Sequence, residues 1–342
     1  MPLARLSRLL WLCAALWMLG AAVWGWRHAQ PVFALGLALL PLAAHALALA
    51  LEMALARRAA WAQVQELAEE QEQGQARPPV AGVPPAALPP LRHWVRAWAG
   101  EWVAALRVFG WQQPWRHRAE TDVLPDVLPE VFLEGARGRR GVVLVHGFVC
   151  NRGFWNRWLR RLRREGVPVV AVDLGPVFAP IEALVPALDQ AVSRVEACTG
   201  RAPVVVAHSM GGLVLRCWWA MQGDVRRVHR ALTLGTPHHG TLLARWAFSS
   251  NTRQMRPHSA WLQRLDATES PACRTRITCF QADCDNVVFP LPLARLDGAD
   301  NRLLEGVAHV DMVDSPAVWR ALQDALGADD PAAPGPYGPA SQ

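Results

Sequence analysis

Ten consecutive residues constrain this chain more than any other feature: Val204-Val205-Val206-Ala207-His208-Ser209-Met210-Gly211-Gly212-Leu213. The β-branched apolar run favours a buried strand, and the residues after Ser209 read as the start of a helix. A serine at that junction, flanked by small residues, is the layout of a nucleophile elbow, a strained strand-to-helix turn that exposes the hydroxyl. Small neighbours matter because the turn is sharp. A bulky side chain at Ala207 or Gly211 would meet the adjoining strand and helix, and glycine tolerates the strained backbone. Ala207 stands where the G-x-S-x-G pattern has its first glycine, a departure of one methyl group.

From Gly141 onward, apolar strands alternate with amphipathic helices. Strands are predicted at 141–146, 168–173, 203–208, 230–235, 276–281 and 301–306, and helices at 153–165, 182–198, 212–222 and 316–327. This alternation implies an α/β fold, a mostly parallel sheet with helices on both faces. An elbow serine takes its partners in the chain order Ser, Asp or Glu, His, so an acid is expected beyond one strand and a histidine beyond the last. The strand at 276–281 runs into Asp283 and Asp285, and the final strand leads to His309. His309 is the expected base, taking the Ser209 proton and returning it to the leaving alcohol. Asp285 is preferred as the acid because Val287-Val288-Phe289-Pro290 suits a loop that turns back into the core; Asp283 remains the alternative. Oxyanion donors are expected from the backbone N–H groups of Met210 and Phe148, the latter following the strand that ends in His146-Gly147.

His146, Gly147, His208, Pro237 and His238 are expected around the substrate, with His146 holding its loop by hydrogen bonds. The run Gly235-Thr236-Pro237-His238-His239-Gly240-Thr241 invites a zinc reading. Adjacent side chains diverge, however, and no Cys or acidic residue is near in sequence. It reads instead as a rigid loop bordering the acyl site, and no metal or cofactor is expected.

Together, His146-Gly147-Phe148, Ala207-His208-Ser209-Met210-Gly211-Gly212, Gly235 to Thr241, Asp285-Asn286-Val287-Val288 and Gly306-Val307-Ala308-His309 resemble bacterial lipases of the α/β-hydrolase superfamily. Arg295-Leu296-Asp297-Gly298-Ala299 fits the same pattern, and the Ala-x-Ser-x-Gly elbow is similar to that of small Bacillus-type lipases. The resemblance covers about residues 140–325. It implies an α/β-hydrolase fold and carboxylic-ester hydrolysis through an acyl-enzyme, with Ser209, Asp285 and His309 as the triad. Rival readings are a thioesterase, phospholipase or acyltransferase with the same triad, or a non-catalytic membrane-anchored module that binds a partner or lipid.

The N-terminus lies outside that resemblance. Apolar residues make up 52% of the chain, and the excess sits in residues 9–26 and 32–56, which carry almost no charge. Each approaches or exceeds the roughly 20 apolar residues a bilayer-spanning helix needs, so a transmembrane hairpin is expected. The alternative for the first segment is a cleaved signal peptide. Arg5 and Arg8 before it and Arg57 and Arg58 after the second helix favour a cytoplasmic N-terminus and a cytoplasmic catalytic domain at a bacterial inner membrane. The expected organisation is a hairpin at 1–60, a polar and proline-rich linker at 61–90, a tryptophan-rich helix and lead-in at 91–140, the catalytic domain at 141–328 and a disordered tail at 329–342.

Leu91, Trp94, Val95, Trp98, Trp102 and Leu106 recur at helical spacing. They read either as an interfacial helix or as an amphipathic helix capping the catalytic domain. Residues 242–268 read as a cap over an apolar acyl pocket or as plain helix packing. The net charge of +6 draws on Arg157, Arg160, Arg161, Arg163 and Arg164. That cluster reads as a solvated face near an anionic membrane rather than a nucleic-acid site. The seven cysteines are odd in number and lack C-x-x-C spacing, so neither a disulfide framework nor a zinc site is expected. Substrate and membrane are the partners implied, and the sequence is silent on oligomeric state.

Overall fold

In the computed structural model, described over residues 3–73, 88–124, 138–222 and 224–328, six strands form one sheet. They are β1 (Val142–Val145), β2 (Val169–Ala171), β3 (Val204–His208), β4 (Arg230–Leu234), β5 (Ile277–Ala282) and β6 (Asp300–Leu304). Their order is β2-β1-β3-β4-β5-β6 and every pairing is parallel. All six coincide with predicted strands to within one or two residues. The near-continuous valine runs follow from burial on both faces, which parallel strands require. Side chains alternate: Val143, Val145, Val205 and Ala207 enter one core, whereas Val142, Leu144, Val204 and Val206 enter the other.

The helices in chain order are α1 (Leu3–Arg27), α2 (Pro31–Glu72), α3 (Leu91–Ala105), α4 (Asn156–Arg164), α5 (Val185–Thr199), α6 (Met210–Gln222) and α7 (Pro316–Gly327), with shorter turns between. On one face Leu188 and Val192 of α5 and Leu213 and Trp218 of α6 fill the core. On the other, Trp158 and Leu162 of α4 and Val318 and Leu322 of α7 do so, joined by Ala104 of α3 and by Val108 in the π-helical turn that continues it. This is the α/β-hydrolase fold that the resemblance implied.

α1 and α2 are both long and apolar enough to cross a membrane, and only 6% and 11% of their most apolar windows are buried. Helices that formed the core of a soluble domain would be covered; these expose Leu16, Trp17, Trp26, Val32, Phe33 and Leu47. They meet tightly at the hairpin, where a methyl added to Gly25 would overlap Ala34. α2 runs on to Glu72, so the polar residues at the start of the segment counted as linker form a helix end, as their composition suggests. Its 42 residues span about 63 Å at 1.5 Å per residue, roughly twice a bilayer's hydrocarbon thickness, so its second half extends beyond any span. The proline-rich run at 74–87 and the tail at 329–342 lie outside the described residues.

The second half of α2 packs on the catalytic domain. Met53 and Ala56 bury against Trp94 and Ala97 of α3 and against Cys284, Phe289 and Ala308, which lie beyond β5 and β6. Trp98 donates its indole N–H to the Ala46 carbonyl (3.0 Å) and stacks on Trp102. On α1, Trp11 donates to the Phe109 carbonyl at 3.0 Å.

α3 turns inward a stripe that shares only Trp94 with the tryptophan-marked pattern, Trp98 and Trp102 being half-buried. Trp94, Ala97, Glu101, Ala104 and Ala105 are buried, whereas Leu91 and Val95 are exposed. Small residues let the helix approach the domain closely, and the bulky ones are left to α2 and the surface. Residues 242–268 form three short helical turns, Leu242–Trp246, Ser250–Gln254 and Ala260–Thr268. Met255, Trp261, Leu262 and Leu265 join the core, while Trp246 and Phe248 are exposed.

The arginine helix α4 is largely neutralised. Arg157 pairs with Asp314, Arg160 with Glu120 and Arg161 with Glu165, and the guanidinium of Arg161 lies 3.6 Å over the Trp319 ring. These arginines and Arg164 line an open cleft of about 580 Å³ that no predicted catalytic residue borders. All seven cysteines are free thiols.

Candidate active site

Ser209 sits between β3 and α6 with φ +55°. A left-handed conformation is unusual for a residue with a side chain, and it is the strain expected of an elbow. Neighbouring backbone holds it: Ser209 donates its N–H to the Leu234 carbonyl (2.8 Å), and Gly212 donates back to the Ser209 carbonyl (3.0 Å). A Cβ on Gly211 would lie 2.8 Å from the carbonyl oxygens of Val145 and His146, so a glycine two residues after the serine is a steric requirement. Met210 opens α6, where the first N–H groups have no acceptor within the helix.

The loop after β1 passes directly over the serine. A Cβ added to Gly147 would stand 2.8 Å from Ser209 Cβ. His146 fixes this loop with both ring nitrogens: Nδ1 donates to the Gly147 carbonyl (2.9 Å) and Nε2 accepts the Leu174 N–H (3.0 Å). Phe148 follows, its ring edge-on to the exposed Phe178. Val149 has φ +53°, an outlier for a β-branched residue. Strain of about 1–3 kcal/mol at such a position persists only where surrounding structure enforces it.

Beyond β5, Asp285 is buried and accepts the N–H groups of Val287 and Val288 through Oδ1, both at 2.8 Å. Its Oδ2 accepts from Nδ1 of His309, beyond β6, at 3.0 Å. Asp283 faces elsewhere, accepting the Gly306 N–H (2.7 Å) and standing 3.4 Å from Nδ1 of His93 on α3. Of the two aspartates, Asp285 is the one paired with His309. Burial alone would lower the His309 pKa; the facing Asp285 carboxylate, with Glu101 and Glu52 adding negative charge, outweighs it and raises the pKa above the usual histidine value.

Gly235, at the end of β4, closes the arrangement. It has φ +55°, and a Cβ there would sit 2.9 Å from His309 Nδ1 and 3.1 Å from Asp285 Oδ2. The loop must be glycine for both reasons.

His208 donates Nε2–H to the His309 carbonyl (3.0 Å), its ring centroid 4.6 Å from that of His309. Burial, and then repulsion from His309, hold its pKa well below normal, so it stays neutral. His238 is wholly buried with Nε2 on the Thr233 hydroxyl (3.1 Å), and Pro237 is buried beside it. Thus His146, His208 and His238 direct their rings at the protein's own backbone and side chains.

Three polar residues join the site without having been picked out in the sequence. Glu101 of α3 is buried and accepts the N–H groups of Val310 (2.8 Å) and Asp311 (3.0 Å), the two residues after His309. Burial pushes its pKa up to about 7, opposed by the attraction of His309. Asn286 accepts the His309 N–H (3.3 Å) and donates its amide to Glu52 of α2 (2.9 Å). Glu101 had one readable signal, a lone carboxylate in register with Trp94, Ala97 and Ala104. Glu52 was the single acid in an apolar run.

Ser209, the Gly147 loop, Asp285 and His309 all stand at the carboxyl ends of parallel strands. Ser209 follows β3, at the point where the chain changes direction across the sheet, the usual binding crevice of open α/β sheets. The family model described as the alpha/beta hydrolase family matches residues 142–340, more than half of the chain. This chain belongs to the α/β-hydrolase family.

Among solved structures, this α/β hydrolase is similar to lipase B of Aspergillus fumigatus, with TM-score 0.51 and 16% identity, covering 59% of this chain and 55% of the lipase. It thus spans about half the length of that enzyme, and at this identity the likeness is one of fold. The mature lipase BlEst2 of Bacillus licheniformis gives TM-score 0.48 and 18% identity over 55% of this chain and 92% of the lipase. The phospholipase PlaB of Legionella pneumophila gives 0.35 and 16% over 42% and 39%. No curated protein sequence matches the chain.

Proposed function

We propose that this α/β hydrolase is a membrane-anchored serine hydrolase of lipid-like carboxylic esters. The observation that carries the reading is the buried Asp285–His309 hydrogen bond of 3.0 Å at the strand ends beside a serine held at φ +55°. His309 takes the Ser209 proton as Oγ attacks the ester carbonyl, and Asp285 keeps the imidazole oriented and stabilises the imidazolium. The N–H groups of Met210 and Phe148 receive the oxyanion. Collapse breaks the ester C–O bond, His309 protonates the departing alcohol, and water then frees the acid by the same steps in reverse order.

The membrane part rests on the exposed apolar hairpin and on Leu91, Val95, Val103 and Trp111, which expose apolar surface along α3 and its continuation. Flanking arginines favour a cytoplasmic catalytic domain. An alkaline phosphatase reporter fused to the C-terminus should be inactive and a fluorescent-protein reporter bright; the reverse pattern overturns this orientation.

The catalytic reading is tested with the detergent-solubilised full chain and a fluorophosphonate probe. Ser209 should be the labelled residue, and p-nitrophenyl esters should compete. Failure of Ser209 to label removes the reading. A general base must be neutral to accept a proton, and the His309 pKa is raised. The acidic limb of kcat/KM should therefore have its midpoint above the roughly 6.5 of an unperturbed histidine; a midpoint below that value contradicts His309 as the base.

A further inference from the structure

We infer that the membrane hairpin is a working part of the active site: Glu52 of α2 and Glu101 of α3 are positioning residues that hold the His309 loop from outside the catalytic domain. The inference rests on the catalytic reading above and adds what keeps its base in place. The loop from Gly306 to Asp311 follows β6 and is too short to have a core of its own. Its backbone donors are instead met by side chains. The His309 N–H goes to Asn286 Oδ1, and those of Val310 and Asp311 go to one oxygen of Glu101. Asn286 is itself held by Glu52, whose carboxylate accepts the Asn286 amide at 2.9 Å.

A chain of two hydrogen bonds therefore runs from a helix of the hairpin to the backbone of the base. Apolar packing follows the same path, with Met53 and Ala56 of α2 against Ala308, Cys284 and Phe289 on the two loops that carry His309 and Asp285. Buried donors left without acceptors are costly, so the loop needs both carboxylates to keep this conformation.

Charge adds a second role. The titratable groups facing His309 are Asp285, Glu101, Glu52 and His208, and the three carboxylates each raise its pKa. Glu101 is the more deeply buried of the two helix carboxylates, and it faces His309, Asp285 and the Asp311 N–H. Each carboxylate favours the imidazolium that forms when His309 removes the Ser209 proton. An amide in place of either keeps an acceptor oxygen but removes that charge. Alanine removes both.

The test uses the full chain in detergent micelles, with a soluble p-nitrophenyl ester so that membrane access does not enter. Glu52→Ala and Glu101→Ala should lower kcat by about tenfold or more with KM changed less than about twofold, the pattern of a lost transition-state contribution. Glu52→Gln and Glu101→Gln, which keep the acceptor oxygen and lose the charge, should recover part of the kcat that the alanine variants lose. Removing a negative charge lowers the His309 pKa, so the acidic limb of Glu52→Gln should move to lower pH; Glu101 itself titrates at about 7 and carries only part of its charge there, so Glu101→Gln should move the limb less.

Hydrogen exchange of the peptide covering residues 306–314 should be faster in the alanine variants while peptides covering β3 and β4 are unchanged. If an alanine variant fails to fold, the pH limb of Glu52→Gln carries the test. Alanine variants with wild-type kcat, or a folded Glu52→Gln variant whose acidic limb stays in place, overturn the inference and leave the catalytic reading standing. A wild-type chain that neither turns over ester nor labels at Ser209 removes both.

Discussion

Ser209→Ala is expected to lower kcat/KM for p-nitrophenyl esters by about 10⁴-fold or more while leaving the fold intact. Removing the nucleophile of a serine–histidine–aspartate unit costs about as much as removing the whole unit, because the members act together. What survives, about 10³- to 10⁴-fold over water, comes from oxyanion donors and binding. Stability should change little. Ser209 occupies its left-handed backbone through the hydrogen bonds of its N–H and carbonyl, and alanine keeps both. Steady-state kinetics together with thermal unfolding of the full chain check both halves. Activity within tenfold of wild type would sink the assignment of Ser209.

The second large effect distinguishes two aspartates that are neighbours but one in sequence. Asp285→Asn should lower kcat by about 10³- to 10⁴-fold, because an amide facing Nδ1 favours the wrong imidazole tautomer and no longer stabilises the imidazolium. Asp283→Asn should cost no more than about tenfold, since Asp283 accepts the Gly306 N–H and faces His93 rather than His309. Its role lies in placing the turn before His309, which an amide oxygen still serves. Measuring kcat for both variants on one ester decides the point. Equal losses, or a larger loss at Asp283, would move the acid role away from Asp285.

Much of this site is legible because it is built from strand ends. A doubly buried parallel strand writes itself as a run of valines, and Val142–Val145 and Val204–Val206 are hydrophobic at every position. Once the strands are placed, the residues just beyond them fall at one edge of the sheet, so Ser209, Asp285 and His309 could be gathered from sequence order. The preference for Asp285 over Asp283 agrees with its hydrogen bond to His309.

Helix faces were harder to read. In α3 the tryptophan spacing fitted either an interfacial helix or a cap on the domain, and the buried stripe is Trp94, Ala97, Ala104 and Ala105, with Glu101 among them. Hydrophobic size marks what wants cover, and close approach between elements is decided by what is small. Where α2 stops was also hard to fix, because a polar helix end and a linker have the same composition. The helix runs on to Glu72, and the packing of Met53 and Ala56 on the catalytic domain is decided by the tertiary structure.

The sequence by itself determined the sheet, the elbow, the order of the three polar residues and the apolar hairpin, because each is a local pattern governed by strand and helix periodicity or by glycine. The tertiary structure alone decided what surrounds His309. Glu52 and Asn286 are 234 residues apart, and Glu101 and Val310 are 209 apart. No periodicity spans such distances. The pairings exist because folding buries backbone donors beyond β6 that must find acceptors, and α2 and α3 bring carboxylates within reach.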